Sequence, residues 1–71
     1  METSVNLLDV LAVTEDPPQH KLVRGQVGTV VEELGPGVFE VEFCDNEGRT
    51  YATAPIRADQ LIVLHYAPIA A

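Results

Sequence analysis

The chain has 71 residues, 46% of them hydrophobic, and its 11 Asp and Glu against four Lys and Arg give a net charge of −7. A chain of this length makes one small domain whose stability is only about 4–11 kcal/mol, and the single Cys44 excludes an intrachain disulfide. The negative field disfavours nucleic acid and anionic membranes as partners, and no apolar run is long enough to span a membrane.

These properties predict one domain over residues 1–71, with loose termini at 1–6 and 66–71. The start of the chain lacks the basic and apolar regions of a signal peptide, and a lone cysteine is typical of a reducing compartment. We therefore expect a cytoplasmic location.

The first apolar run, Leu7–Val13, is short and rich in β-branched residues, so we interpret it as the first strand rather than a helical turn. In a strand, Leu7, Leu11 and Val13 would share one face. The segment 15–23 contains two prolines and no period, and it predicts an excursion between strands.

A β-hairpin is predicted where the runs 24–34 and 38–43 flank Gly35-Pro36-Gly37. A three-residue loop would pair Leu34 with Val38, Glu32 with Glu40, Val31 with Val41 and Thr29 with Phe43. The inward positions would be Val27, Thr29, Val31, Phe39, Val41 and Phe43. The outward positions would be Gly28, Val30, Glu32, Leu34, Val38, Glu40 and Glu42.

The remaining elements complete a meander. Residues 45–48 predict a turn, 49–54 a strand closed by Pro55, and 56–60 a short linker with one tight helical turn. A last strand is predicted at 61–65, followed by a tail held by Tyr66 and Ile69. The plan is an all-β, five-stranded small barrel with at most one short helical turn.

Residues 22–31, which contain Arg24-Gly25-Gln26-Val27-Gly28, resemble the KOW-type element of SH3-like barrels. Over nearly the whole chain, the segments 7–10, 14–16, 24–32, 41–43, 48–50 and 58–61 are similar to a family of short, free-standing bacterial and cyanobacterial proteins catalogued as a domain of unknown function. The resemblance implies an SH3-like barrel and brings no activity or binding residues to transfer.

The predicted Glu32–Glu40 pair is unfavourable, because like charges on facing strand positions repel by roughly a few tenths to 1 kcal/mol. One interpretation is a strand face whose charge prevents aggregation. The other is an acidic face with apolar rims that binds a basic partner. The candidate partner-binding residues are Glu32, Leu34, Val38, Glu40 and Glu42.

Other motifs favour structural roles. Gly25 and Gly28 have no following helix to hold a phosphate, so we expect turn and close-packing roles. His20, His65 and Cys44 have no zinc-ligand spacing, and no nucleophile–base set can be assembled. Tyr51 and Tyr66 are weak candidates for a peptide groove. We expect no enzymatic activity, no metal and no cofactor.

The function favoured by these observations is a non-catalytic protein-interaction or accessory subunit with an acidic binding face. Two alternatives remain. One is a KOW-like RNA- or ribosome-associated binder, which the acidic charge disfavours. The other is an acidic neutraliser of a basic toxin or enzyme, as an antitoxin or inhibitor would be.

Overall fold

The computed structural model describes residues 5–16 and 21–65, and within these ranges the chain forms five antiparallel strands and one 3-10 turn. The elements are β1 (Val10–Val13), β2 (Val27–Gly35), β3 (Val38–Cys44), β4 (Thr50–Arg57), the 3-10 turn (Ala58–Gln60) and β5 (Leu61–Val63). The prediction of an all-β domain with five strands and at most one helical turn is confirmed.

The strands form a single sheet in the order β4-β3-β2-β1-β5, with every neighbouring pair antiparallel. The sheet curls around one core, to which all five strands contribute a buried or half-buried apolar residue. A side-chain bond from Gln26 Nε2 to the Tyr51 hydroxyl, 3.0 Å long, also joins the start of β4 to the segment before β2. These features are consistent with a small barrel-like fold.

The core follows the period-two alternation of β3, in which Phe39, Val41 and Phe43 are buried and the residues between them face outward. This part of the predicted pattern is confirmed. The other buried apolar residues are Leu11, Val13, Leu22, Val30, Ala54 and Ile56. Burial removes these apolar side chains from water, which is the main contribution to the stability of so small a domain.

The predicted facing of β2 is wrong in its first half. Val30 is fully buried and Gly28 is buried, whereas Val27 and Val31 are exposed and Thr29 is half-buried. The register explains the reversal: Val30 pairs with Val41 and Thr29 with Glu42, not Val31 with Val41 and Thr29 with Phe43. An irregularity between Val30 and Glu32 inserts Val31 as an extra residue, and such a β-bulge exchanges the faces on either side of it.

The turn between β2 and β3 is also shorter than predicted. Gly35 pairs with Val38, so the loop contains only Pro36 and Gly37, and Leu34 is the extra residue of a second bulge. Pro36 presets its own φ, and Gly37 supplies a positive φ of 74°, the combination that a type II turn requires at its two central positions. The Leu34–Val38 pair is therefore absent, whereas Glu32 does face Glu40 as predicted.

Gly28 is buried because its neighbours occupy the space that a side chain would need. A Cβ added at this position would lie 2.6 Å from Val41 Cγ1, 2.9 Å from Phe43 Cδ2 and 3.0 Å from the Glu42 carbonyl oxygen. Gly25, by contrast, has a φ of 97° within the turn before β2. The predicted turn and close-packing roles of the two glycines are confirmed.

β1 begins later than predicted, at Val10 instead of Leu7. Leu11 and Val13 share the core face, but Leu7 lies outside the strand and is exposed, so the prediction that it joins them is wrong. The chain is nevertheless packed from Val5 onward, because Val5 contacts the core and the Asn6 N–H donates to Asp9 Oδ2 at 2.8 Å. Residues 1–4 lie outside the described ranges.

Pro55 does not close β4, which continues to Arg57. The Ala58 N–H donates to the Gly37 carbonyl at 2.8 Å, which makes Arg57–Val38 a pair without mutual backbone hydrogen bonds. By alternation along the ladder, the backbone nitrogen of Pro55 points to the free edge of the sheet. Proline fits there because no ladder bond is lost.

The last strand is shorter than predicted and ends at Val63, with Leu64 and His65 beyond it. The short helical turn predicted before this strand is confirmed at Ala58–Gln60. The tail contacts predicted for Tyr66 and Ile69 lie outside the described residues, as does the middle of the predicted excursion, residues 17–20.

Candidate functional site

The five candidate residues all lie on the β2–β3 hairpin, and together we call them the acidic strip: Glu32, Leu34, Val38, Glu40 and Glu42. β3 contributes its outward positions Val38, Glu40 and Glu42, each half-buried, because they alternate with the buried aromatic and valine residues. β2 contributes Glu32 and Leu34, both exposed. The β3 part of the strip therefore follows from the same alternation that builds the core.

Two carboxylate residues meet across the hairpin. Glu32 is the direct partner of Glu40, and Glu42 lies two residues farther along the same face of β3. Directly opposed strand residues have Cβ atoms only about 4.5–5.5 Å apart, so the Glu32 and Glu40 side chains start from adjacent positions. Three carboxylates are consequently concentrated on one face of the hairpin.

Nothing in the described part of the chain neutralises this charge. The ion pairs there join Arg49 to Asp45 and Glu47, and Arg57 to Asp59, and none involves the acidic strip. Arg57 lies beside Val38 on β4, but its Nε donates to Asp59 Oδ1 at 3.0 Å. The guanidinium that strand pairing places beside the strip is thus bonded to another carboxylate.

Glu42 differs from the other two glutamates because it has a fixed partner. The Thr50 hydroxyl donates to Glu42 Oε2 at 2.8 Å, and Cys44 Sγ lies 3.7 Å from the same hydroxyl. These contacts hold Glu42 against the start of β4. Cys44 is exposed at the end of β3, the strand-end position that the sequence predicts.

The turn after β3 is stabilised by an aspartate. Asp45 Oδ1 accepts hydrogen bonds from the backbone N–H groups of Arg49 and Glu47, both at 2.9 Å, and Arg49 Nε donates to Oδ2. The backbone N–H of Arg49, followed by that of Glu47, lowers the pKa of the Asp45 carboxyl below its ordinary value. Asp45 is an element of the turn and lies apart from the acidic strip.

The other candidate groups are not brought together. His65 is exposed just beyond β5, and His20 lies outside the described residues. Among residues 5–16 and 21–65, no group of three or more His, Cys, Asp and Glu side chains has a metal-binding arrangement. Over the same ranges there is no helix long and apolar enough to cross a membrane.

Of the two tyrosines suggested for a peptide groove, the structure describes Tyr51. Tyr51 is half exposed, its ring lies 6.3 Å from that of Phe43, and its hydroxyl accepts from Gln26. Tyr66 is outside the described residues. A cleft of about 470 Å³ lies elsewhere, lined by Thr14, Glu15, Asp16, Val23 and Arg24.

The sequence patterns missed one surface feature. Leu7 and Leu8 lie in the apolar run assigned to the first strand, yet both are strongly exposed at a turn before β1. The signal that predicts this turn is the spacing of Asn6 and Asp9, because Asp side chains readily accept hydrogen bonds from nearby backbone N–H groups.

The comparison with curated proteins found no match, and neither did the comparison with solved structures. A protein-family model, described as a domain of unknown function (DUF4926), matches residues 7–63. This match includes every described strand and most of the chain. The predicted membership of a domain-of-unknown-function family is thereby confirmed, and the chain belongs to the DUF4926 family.

Proposed function

We propose that this chain is a non-catalytic protein-interaction or accessory subunit of the bacterial cytoplasm, which binds a basic surface of another protein through the acidic strip. The observation that carries the proposal is the Glu32–Glu40 pair, retained on facing strand positions with no basic side chain bonded to it in the described part of the chain. The repulsion within such a pair opposes folding by a few tenths to about 1 kcal/mol. A basic partner bound between the two carboxylates would replace this repulsion by attraction.

Leu34 and Val38 give the acidic strip an apolar component. Leu34 is 48% exposed because it is the extra residue of the second bulge, and Val38 is half-buried on the neighbouring strand. Apolar side chains bordered by charge are common in protein–protein interfaces, where the apolar part supplies affinity and the charges supply orientation and rate.

The proposal also includes a more specific assignment of the fold. We infer an SH3-like barrel with a KOW-like second strand from the strand order β4-β3-β2-β1-β5, the 3-10 turn before β5, and the placement of Gly25 and Gly28. Small barrels of this kind serve as interaction modules in many settings, and fold alone does not assign the partner.

Charge distinguishes the alternatives. A net charge of −7 favours a basic protein over RNA or an anionic membrane. The same charge is compatible with the neutralisation of a basic toxin or enzyme, which differs from an accessory role only in what happens to the bound protein. Identification of the partner therefore separates these two, and loss of the partner's activity on binding would indicate the neutraliser.

The test compares two doubly substituted chains of equal net charge. Glu32→Gln with Glu40→Gln removes the facing pair, whereas Glu15→Gln with Glu47→Gln removes two exposed carboxylates elsewhere. Each is immobilised beside the wild-type chain and exposed to a lysate, and captured proteins are then purified and their association rates measured at low and high salt.

We expect the control to behave as the wild type, and the strip variant to associate more slowly at low salt with a weaker salt dependence. Equal association rates for the two variants would place the interface elsewhere. Capture of RNA instead of protein by all three chains would favour the RNA-associated alternative.

A further inference from the structure

Two exposed apolar residues, Leu7 and Leu8, lie near the start of the described chain, and a third, Val31, lies on β2, to which Leu8 is hydrogen-bonded. Leu7 is 61% exposed, Leu8 is 74% exposed, and Val31 is 42% exposed. The Leu8 N–H donates to the Val30 carbonyl at 2.8 Å, which places Leu8 beside the bulge residue Val31. We call Leu7, Leu8 and Val31 the leucine corner.

The backbone holds Leu8 in an unfavourable conformation. Its φ is 70°, and it is the one non-glycine residue with a positive φ in the described part of the chain. A leucine side chain disfavours this region because its Cβ crowds the backbone, whereas Gly and Asn adopt it readily. A residue that both strains the backbone and exposes a large apolar side chain serves neither folding nor solubility, and strained residues are concentrated at functional sites.

The turn that carries Leu8 is firmly fixed. The Asn6 N–H donates to Asp9 Oδ2 at 2.8 Å, and the Asp9 N–H donates to the Asn6 carbonyl at 3.1 Å. The Val30 N–H donates to the Asp9 carbonyl at 3.0 Å, which continues the β1–β2 ladder to the turn. Leu8 is therefore presented on a hydrogen-bonded turn that is joined to the β1–β2 ladder.

The leucine corner borders the acidic strip. Val31 is followed directly by Glu32 and Glu33, both exposed, and neither is part of an ion pair within the described residues. A second copy of this chain at the corner would bring its own glutamates against these two, at a net charge of −7 on each side. Like charges at a contact disfavour such a dimer.

We propose that the leucine corner is the apolar anchor of the docking surface, and that the partner segment inserts an apolar side chain there beside lysine or arginine side chains that meet Glu32 and Glu33. This inference rests on the proposed function, since it uses the acidic strip as the neighbouring half of the interface. It adds the chemistry of the partner, a segment that mixes apolar and basic residues.

Two synthetic peptides of equal charge and length test the proposal, one alternating Lys and Leu and the other alternating Lys and Gln. Each is titrated into the isotopically labelled chain, and backbone amide shifts report both affinity and location. We expect the Lys–Leu peptide to bind about tenfold more tightly than the Lys–Gln peptide, the ratio that burial of roughly one leucine side chain supplies. The largest shifts should occur at Leu7, Leu8, Val31 and Glu32.

Leu8→Asn is the informative variant, because asparagine tolerates the positive φ and the fold is retained or stabilised. It should remove most of the preference for the Lys–Leu peptide and leave binding of the Lys–Gln peptide unchanged. Ile62→Thr is the matched control, since Ile62 is an exposed apolar residue on β5, 54% accessible, that the proposal does not use. It should leave both affinities unchanged.

Equal binding of the two peptides, or a Lys–Leu preference that survives Leu8→Asn, would overturn the inference. So would loss of that preference in Ile62→Thr. The proposed function fails separately: if Glu32→Gln with Glu40→Gln leaves both affinities unchanged while Leu8→Asn lowers one, the corner binds apolar segments and the acidic strip does not take part.

Discussion

Replacement of Gly28 by alanine should destabilise the domain. The same replacement at a strand position with free space around the glycine stabilises a protein. The added Cβ would lie 2.6 Å from Val41 Cγ1 and 2.9 Å from Phe43 Cδ2, and both of these side chains are fully buried. The third contact, 3.0 Å to the Glu42 carbonyl oxygen, is with backbone that belongs to the β3 ladder. Relief therefore requires movement of the core or of a strand.

The magnitude follows from two opposing effects. Insertion of a methyl group into a well-packed core costs about 1–3 kcal/mol. Removal of a glycine from the unfolded chain offsets about 0.4–1 kcal/mol of that cost. The net loss is about 1–2 kcal/mol, a substantial part of the ~4–11 kcal/mol available to 71 residues. In a domain of this size it lowers the Tm by roughly 4–16 °C.

Gly35→Ala is the matched control, since Gly35 lies in the same strand and a Cβ added there meets nothing within 4 Å. This variant should be as stable as the wild type or slightly more stable. Thermal and urea unfolding followed by circular dichroism would measure both. If Gly28→Ala unfolds at the same temperature as Gly35→Ala, the close approach of β3 to Gly28 is not a constraint on the fold and our account of the β2 register is refuted.

Three further predictions concern charge. Asp45→Asn should lower stability at neutral pH, because a carboxylate whose pKa is lower in the folded state stabilises the fold at every pH above its unfolded-state pKa. The difference in unfolding free energy from wild type should shrink when urea titrations are repeated in the acid range where that carboxylate is protonated. A difference that does not change with pH would contradict this. Glu32→Thr should leave the domain intact or raise its unfolding free energy by a few tenths to about 1 kcal/mol in urea titrations, whereas a Tm lower by several degrees would show that the glutamate is structural. RNA and DNA should bind no tighter than the ~10⁻⁴–10⁻⁶ M of non-specific binders at physiological salt, and tighter retention in a polarisation assay would favour the RNA-associated alternative.

The hairpin shows why part of the register could be predicted from the sequence. The predicted three-residue loop gives a certain register between β2 and β3. The observed two-residue turn, together with the bulge at Leu34, gives the same register beyond the bulge, so Glu32 faces Glu40 in either arrangement. The acidic pair was therefore predictable even though the loop was not. The bulge at Val31 shifts the pairing by one more residue and reverses the faces of Gly28 and Val30.

No local pattern reveals the bulge at Val31. Residues 27, 29 and 31 include two valines, whereas residues 28 and 30 are a glycine and one valine. Hydrophobicity alone therefore assigns the wrong set to the core. The decisive fact is that the buried face needs a glycine where Val41 and Phe43 approach, which is a property of packing between strands. The exposure of Leu7 and Leu8 was missed for a different reason, since the turn from Asn6 to Asp9 lies at the start of an apolar run and contains no glycine or proline.

Pro55 limits the way in which a partner can recognise this sheet. The outer side of β4 is the longer free edge of the described sheet, and proline interrupts the row of amide donors that an added strand would need. The opposite edge, β5, spans three residues. Recognition by main-chain pairing, which is tolerant of sequence, is thus poorly supported at both edges. Selectivity then depends on the side chains displayed on the faces of the sheet, so that a change in one partner residue can alter specificity without any change in backbone conformation.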